Sequence, residues 1–380
     1  MRFVAAMFLM LAFAGCISDD APENSDESPQ TESKLHVLSG MVEPDDFNAP
    51  LFQTSAVIAT GGPLYGAGEP SIHAALDGTI YAAFPGCDDG PYYFVSYPGS
   101  ETCGHGLVFK SIDNGESWDR LNRNGDGRLT EDGPLANGDA DVAVDSAGVV
   151  YTSNLGGGIQ FHRSLDGGET WEYMANIVPE GEGADRQWLA AAGPGHVVNA
   201  WMRTAPARDV AINTTFDGGI TWTNNTYFGD GIGWLGTPQF DVTGQKVYIP
   251  YTQPTGGVGV GLGVSETFEM RVIKSLDGGR TWTDVPTGMT WTTTATGVHW
   301  SGGHMAPTLD VTGDGTVVVA MSVDDGLFIT GNIAQTNLGT RLLVATSSDQ
   351  GETWTNGELP ASPVATSGPN PENPGARVFP

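Results

Sequence analysis

Five times along the chain a run of alternating apolar and polar residues meets a Gly-containing turn and continues into a second apolar run. These stretches are EPSIHAALDGTIYAAF (69–84), DADVAVDSAGVVYTSN (139–154), DRQWLAAAGPGHVVNAW (185–201), TPQFDVTGQKVYIPY (237–251) and APTLDVTGDGTVVVAM (306–321). Alternation with a period of two marks a half-buried strand, and a Gly turn between two such runs marks a hairpin. A third run follows each hairpin: GLVFKS, IQFHRS, VAINTT, MRVIKS and LLVATS. Their β-branched and aromatic residues suit a pleated surface.

Each third run ends in one pattern, Ser/Thr-x-Asp-x-Gly-x-Thr/Ser-Trp, at residues 111–118, 164–171, 215–222, 275–282 and 347–354. This predicts a second, outer hairpin. Its Asp accepts main-chain N–H bonds, its Gly supplies the positive φ of a tight turn, and its Trp opens the outgoing strand and buries a large ring. Successive pattern tryptophans are 53, 51, 60 and 72 residues apart, the length of a four-stranded propeller blade with loops. Five blades are thus visible twice over.

Composition agrees with a turn-rich chain, since 54 Gly and 24 Pro make up about a fifth of the 380 residues. Formal charge is −29, with four Lys among the sixteen basic residues. Such a field repels nucleic acid and anionic membrane surfaces, and suits a salty medium or a cation-rich wall.

The opening MRFVAAMFLMLAFAGC carries one Arg and then an apolar run too short for a stable membrane span, which reads as an export signal. Ala14-Gly15-Cys16 resembles a lipobox, in which Cys16 becomes the lipidated first residue. Phe13 departs from the usual Leu, so cleavage behind the Ala residues is the alternative. Residues 17–47 are polar and acidic and predict a solvated tether. Cys87 and Cys103 are the two remaining thiols, and in an exported chain they predict a disulfide. Residues 48–380 form the expected propeller.

The five patterns resemble the Asp-box, or bacterial neuraminidase, repeats of the sialidase-like β-propellers, and the resemblance spans about residues 60–380. It implies an all-β fold of six blades, five visible and a sixth only begun. The final GARVFP is similar to the start of blade three, GADRQWLA, with Arg377 matching Arg186 and Phe379 matching Trp188. A longer protein, a five-bladed ring with a tail, or closure by residues 48–60 would each account for this.

The resemblance also implies a sialidase pocket with three Arg, a Tyr nucleophile paired with Glu, and an Asp acid/base. The first Arg belongs to a Phe/Tyr-Arg-Ile-Pro stretch, whereas this chain reads Ala67-Gly68-Glu69-Pro70, with Gly68 in its place. Glu69 would repel a sugar carboxylate instead of clamping it. Asp88 and Asp89 match the acid/base position loosely, and the Tyr belongs late in the ring, in a region this sequence does not contain.

Pocket candidates at the starts of the innermost strands are Glu69, Asp139, Asp141, Asp185, Arg186, Trp188 and His304, joined by Arg377. This mixed acidic, basic and aromatic set suits sugar hydroxyls. The plainer reading makes Asp185 and Arg186 an ion pair and Trp188 a core residue.

NRNGDGRLTEDG (122–133) has the spacing of a calcium loop, with Asn122, Asn124, Asp126, Arg128, Thr130 and Asp132 at alternate positions and Gly127 for the sharp turn. Gly133 stands where a bidentate acid belongs, and the first ligand is Asn. A solvated acidic turn is the alternative. DVTGDGTV (310–317) mimics the spacing on an inner hairpin, where turn chemistry explains it. No zinc spacing occurs among the seven His, GGVGVGLGV (256–264) has no following helix to bind phosphate, and Asn213 and Asn224 head Asn-x-Thr sequons.

The sequence therefore predicts an exported, lipid-anchored, calcium-tolerant propeller at the cell surface or in the periplasm. It would bind a carbohydrate or a surface protein and touch the membrane only through its anchor. The competing reading is an exo-glycosidase whose last blade lies beyond this sequence.

Overall fold

A computed structural model describes residues 70–87, 103–121, 139–256, 264–295, 306–324 and 340–359. Their regular structure is all β. Blade one comprises β1 (Ser71–Ala74), β2 (Ile80–Cys87), β3 (Cys103–Ser111) and β4 (Asp119–Arg120). Blade two comprises β5 (Ala140–Val144), β6 (Val150–Leu155), β7 (Ile159–Ser164) and β8 (Glu172–Asn176). Blade three comprises β9 (Gly183–Ala191), β10 (Val197–Ala205), β11 (Asp209–Thr215) and β12 (Thr226–Phe228). Blade four comprises β13 (Gln239–Phe240), β14 (Val247–Gly256), β15 (Val264–Ser275) and β16 (Thr283–Ala295), and blade five β17 (Thr308–Val311), β18 (Val317–Asp324), β19 (Thr340–Ser347) and β20 (Thr355–Leu359).

Each set of four is one antiparallel sheet in chain order. The first strands stand side by side, β1 with β5, β5 with β9, β9 with β13 and β13 with β17. This is a propeller built as the hairpin pattern predicts. In such a meander the first and third turns of every blade share one end, so all five Asp boxes and all five inner hairpin turns lie together, opposite the end where the innermost strands begin.

The core lies between blades, because both faces of each sheet are apolar. Tyr81, Val108, Val142 and Val150 pack between blades one and two. Tyr151, Phe161, Leu189 and Trp201 fill the next gap, then Val198, Ile212, Ile249 and Ile273, then Met270, Val272, Val319 and Leu343. From the second box onward the Trp sits at the edge of the core shared with the preceding blade; Trp222 meets Phe161 edge-on at 4.9 Å between centroids. The ring is therefore inter-blade packing as well as a start for the outgoing strand.

The box is a closed hydrogen-bond circuit. In the second, the Ser164 hydroxyl donates to Asp166 Oδ1 at 2.7 Å and accepts from Gly168 N at 2.8 Å, while Asp166 accepts from Thr170 N and the Thr170 hydroxyl at 2.9 and 2.6 Å. Asp113, Asp217, Asp277 and Asp349 repeat it. The Gly after the variable fourth position is fixed from outside its own turn: a methyl group at Gly168 or Gly219 would overlap Leu121 or Phe161 of the preceding blade. The fourth position, also left-handed, admits Asn114 and Gln350.

The residue just before the box reaches the next blade's box. Arg163 Nη1 donates to Gly218 O at 3.3 Å, Thr214 Oγ1 to Gly279 O at 3.1 Å, and Lys274 Nζ to Gln350 O at 2.9 Å. Tyr81 adds a bond to Gly167 O, and His196 one to Gly278 O. Boxes thus join blades as well as strands.

The main chains of Cys87 and Cys103 face one another across β2 and β3, a spacing that a disulfide can bridge. The signal with Cys16, the tether, Glu69, the 122–133 loop, His304 and Arg377 with the incipient sixth blade lie outside the described residues.

Candidate functional site

The inner hairpins define equivalent positions in every blade. In each, one residue donates its main-chain N–H across the turn to the residue just before the second strand: Ala75, Asp145, Ala192, Asp241 or Thr312. Four residues before that donor stand Ser71, Asp141, Trp188, Thr237 and Thr308; two before it stand His73, Ala143, Ala190, Gln239 and Asp310. Nine of these ten positions, all but Ala143, line a single cavity of about 300 Å³ at the convergence of the five innermost strands. No Arg or Lys among the described residues lines it.

Asp141 is buried in the wall of this cavity and joins three blades. Its Oδ2 accepts from Leu189 N of blade three at 2.5 Å and its Oδ1 from Val142 N at 2.8 Å, and it is hydrogen-bonded to the Ser71 hydroxyl of blade one. Burial pushes its carboxyl up to about 6, against the pull of those bonds. Asp310 makes the equivalent contact to Val311 N at 2.8 Å.

Trp188 is 8% exposed and packs in the core between blades three and four, and it also lines the cavity. Its indole N–H donates to Leu235 O at 3.2 Å. Asp139 contributes its carbonyl, which accepts from Gln187 Nε2 at 2.7 Å. Asp185 lies opposite Met202 in the sheet.

Arg186 stands apart from the cavity lining. It lies at a bulge in β9 with φ +51°, a conformation that costs a non-Gly residue energy. Its guanidinium stacks 4.1 Å from the centroid of Trp234, on the segment leading into β13. Other cations at this end are engaged by protein acceptors. Arg203 pairs with Glu182 and Asp209 and lies over Tyr227, and Arg208 Nη2 donates to Gly233 O at 3.0 Å. Hydrogen bonding to Asp209 raises the Arg203 pKa, so the group stays charged.

Sequence reasoning placed Asp141 and Trp188 at the cavity and missed Ser71, His73, Thr237, Gln239, Thr308 and Asp310. The signal that finds them is register, counted back from the hairpin turn; charge and aromatic content at the strand starts do not. Among the described residues no three His, Cys, Asp or Glu side chains converge in a way that could hold a metal ion; the calcium candidates Asn122, Asn124, Asp126, Arg128, Thr130 and Asp132 lie outside them.

No protein-family model matches the chain, and no curated protein matches its sequence. Solved structures similar to the chain are found at low identity. A protein of unknown function from Dyadobacter fermentans is 17% identical, with 73% of this chain and 76% of that one covered and a TM-score of 0.47. The α-L-arabinofuranosidase of Fusarium graminearum is 12% identical, with 79% and 94% covered and a TM-score of 0.44. The NanB sialidase of Streptococcus pneumoniae is 13% identical, with 68% and 53% covered and a TM-score of 0.41.

Proposed function

We propose that the chain is an exported, lipid-anchored propeller that binds the terminal unit of an uncharged carbohydrate in its central cavity. The observation that carries this reading is the lining. Hydroxyl, amide, imidazole and carboxyl groups from four blades surround one small cavity beside the Trp188 wall of the fifth, and no Lys or Arg among the described residues joins them. Convergent polar groups on an apolar frame are what a sugar needs. A carboxylated sugar would instead meet Asp141 and Asp310, with no Arg among the described lining residues to compensate.

Binding is favoured over cleavage because Asp141, the acidic wall residue with the raised pKa, has both oxygens committed to main-chain N–H groups. It is held as a structural carboxylate and is not turned toward a glycosidic oxygen. The test is calorimetry with neutral oligosaccharides and with sialylated and uronate-containing ones. Neutral sugars should bind, and Gln239→Ala or Asp310→Ala should weaken binding about tenfold. Preference for the acidic sugars would overturn the reading, and release of free sugar during the titration would replace it with the glycosidase reading.

A further inference from the structure

The end that carries the Asp boxes exposes large apolar side chains on turns that are ordinarily polar. The second box position holds Ile112, Leu165, Phe216 and Leu276 in blades one to four, and the first two are 77% and 69% exposed. Leu76 and Val242 project from the inner turns of blades one and four, and Ile220 from the third box. These are seven of the nine large apolar side chains exposed among the described residues; the others, Tyr173 and Tyr227, sit on outer strands. Single exposed apolar residues scatter over any surface, but confinement to one end marks a contact face.

This end is also stiff. Gly218 N donates to Gly195 O and Gly278 N to Gln245 O, tying the inner turn to the box of one blade, and Gly195 N donates to Asp145 Oδ2 of the preceding blade, so turn is bonded to turn within and between blades. The box carboxylates fold back into their own turns, while the second-position side chains stay exposed.

We infer that the Asp-box end seats on a lipid surface of uncharged headgroups. Isolated apolar tips on a stiff base suit shallow insertion at the boundary of headgroups and acyl chains, whereas a protein interface has a continuous packed centre. The charge of −29 disfavours both anionic lipid and a second copy of the chain. Between Cys16 and β1 lie 54 residues, 17 to 70, enough chain at up to about 3.4 Å per residue to pass round the propeller to either end. A lipid on Cys16 would hold the tips near the bilayer at high local concentration, where weak insertion suffices. Seated this way, the opposite end, where the innermost strands begin, faces outward. The inference draws on the anchored reading and is independent of the sugar site.

The experiment is amide hydrogen exchange on the full chain with phosphatidylcholine vesicles, beside the Ile112→Ser, Leu165→Ser, Val242→Ser triple variant treated identically. The lipid state of Cys16 is read by mass in the same samples. The altered side chains are exposed, so the variant should keep its melting temperature. Exchange in the first three boxes should be about tenfold slower in the original chain than in the variant, with the 205–209 hairpin alike in both. Equal exchange in both chains overturns the inference. So does protection already present without vesicles together with a doubled mass in sedimentation, which would assign the face to a second copy.

Discussion

Asp166, in the second box, and Asp141, in the innermost strand of the same blade, each accept main-chain N–H bonds and pair with a hydroxyl, yet their acidities move in opposite directions. The Thr170 hydroxyl and amide hold Asp166 down to about 2, with water close by. Asp141 keeps similar partners, but three blades seal it from solvent and burial outweighs them. The partners also differ in reach. Those of Asp166 come from Ser164 and Thr170 within its own turn, whereas those of Asp141 include Leu189 and Ser71, from two other blades. One carboxylate closes a turn, and the other closes part of a ring.

The sharpest way to break this comparison is to remove each carboxylate. Asp141→Ala leaves the Leu189 N–H buried without its acceptor and unties three blades, so it should cost about 3 kcal/mol. Asp166→Ala opens a turn that water can reach and should cost about 1 kcal/mol, as loss of a helix cap does. Chemical denaturation of both variants decides the order. Equal losses would mean that Asp141 is no more than another turn residue.

That difference in reach also explains what the sequence disclosed. Strand order, blades and boxes were legible because alternation and turn chemistry are local, as the circuit of Ser164, Asp166, Gly168 and Thr170 illustrates. The cavity was legible only in part. Asp141 and Trp188 drew notice by type, but Ser71, Thr237 and Thr308 are unremarkable until the hairpin turns set them at one height around one axis. Arg186 drew notice as a cation at a strand start, yet the bulge that turns it toward Trp234 is set by pairing with β10, far along the chain.

A pH series sharpens the comparison with a smaller effect of opposite signs. Asp113, Asp166 and Asp349 are held down to about 2 when folded, below the usual carboxylate range, chiefly by the hydroxyls of Ser117, Thr170 and Thr353. Their stabilisation is in place above about pH 4 and is lost as pH falls toward 2. Asp141 titrates near 6 when folded, so the folded state binds its proton more tightly. Its ionisation costs stability as pH rises from about 4 to 6, and nothing further above that. Melting temperatures of the original chain and of Asp141→Asn between pH 2 and 8 should share the acid limb. Only the original chain should lose stability between pH 4 and 6 relative to the variant. A constant offset across the series would remove burial as the cause.

The smallest effect tests whether the boxes join blades as well as strands. Lys274 is 4% exposed, and its ammonium reaches Gln350 O at 2.9 Å and Glu352 Oε1 at 2.6 Å, both in the next blade's box. Glu352 is itself largely in solvent, so the ion pair adds little, and the buried bond to the carbonyl carries the contact. Lys274→Met keeps the apolar stem and removes both bonds, for a loss of about 1 kcal/mol. Glu352→Gln should lose less than about 0.5 kcal/mol. Combined in one chain, the two should cost hardly more than Lys274→Met alone, since both act through the same ammonium. Full loss from Glu352→Gln would make the surface ion pair the joint between blades four and five, and the regular donation of one blade into the next box would then be incidental to stability.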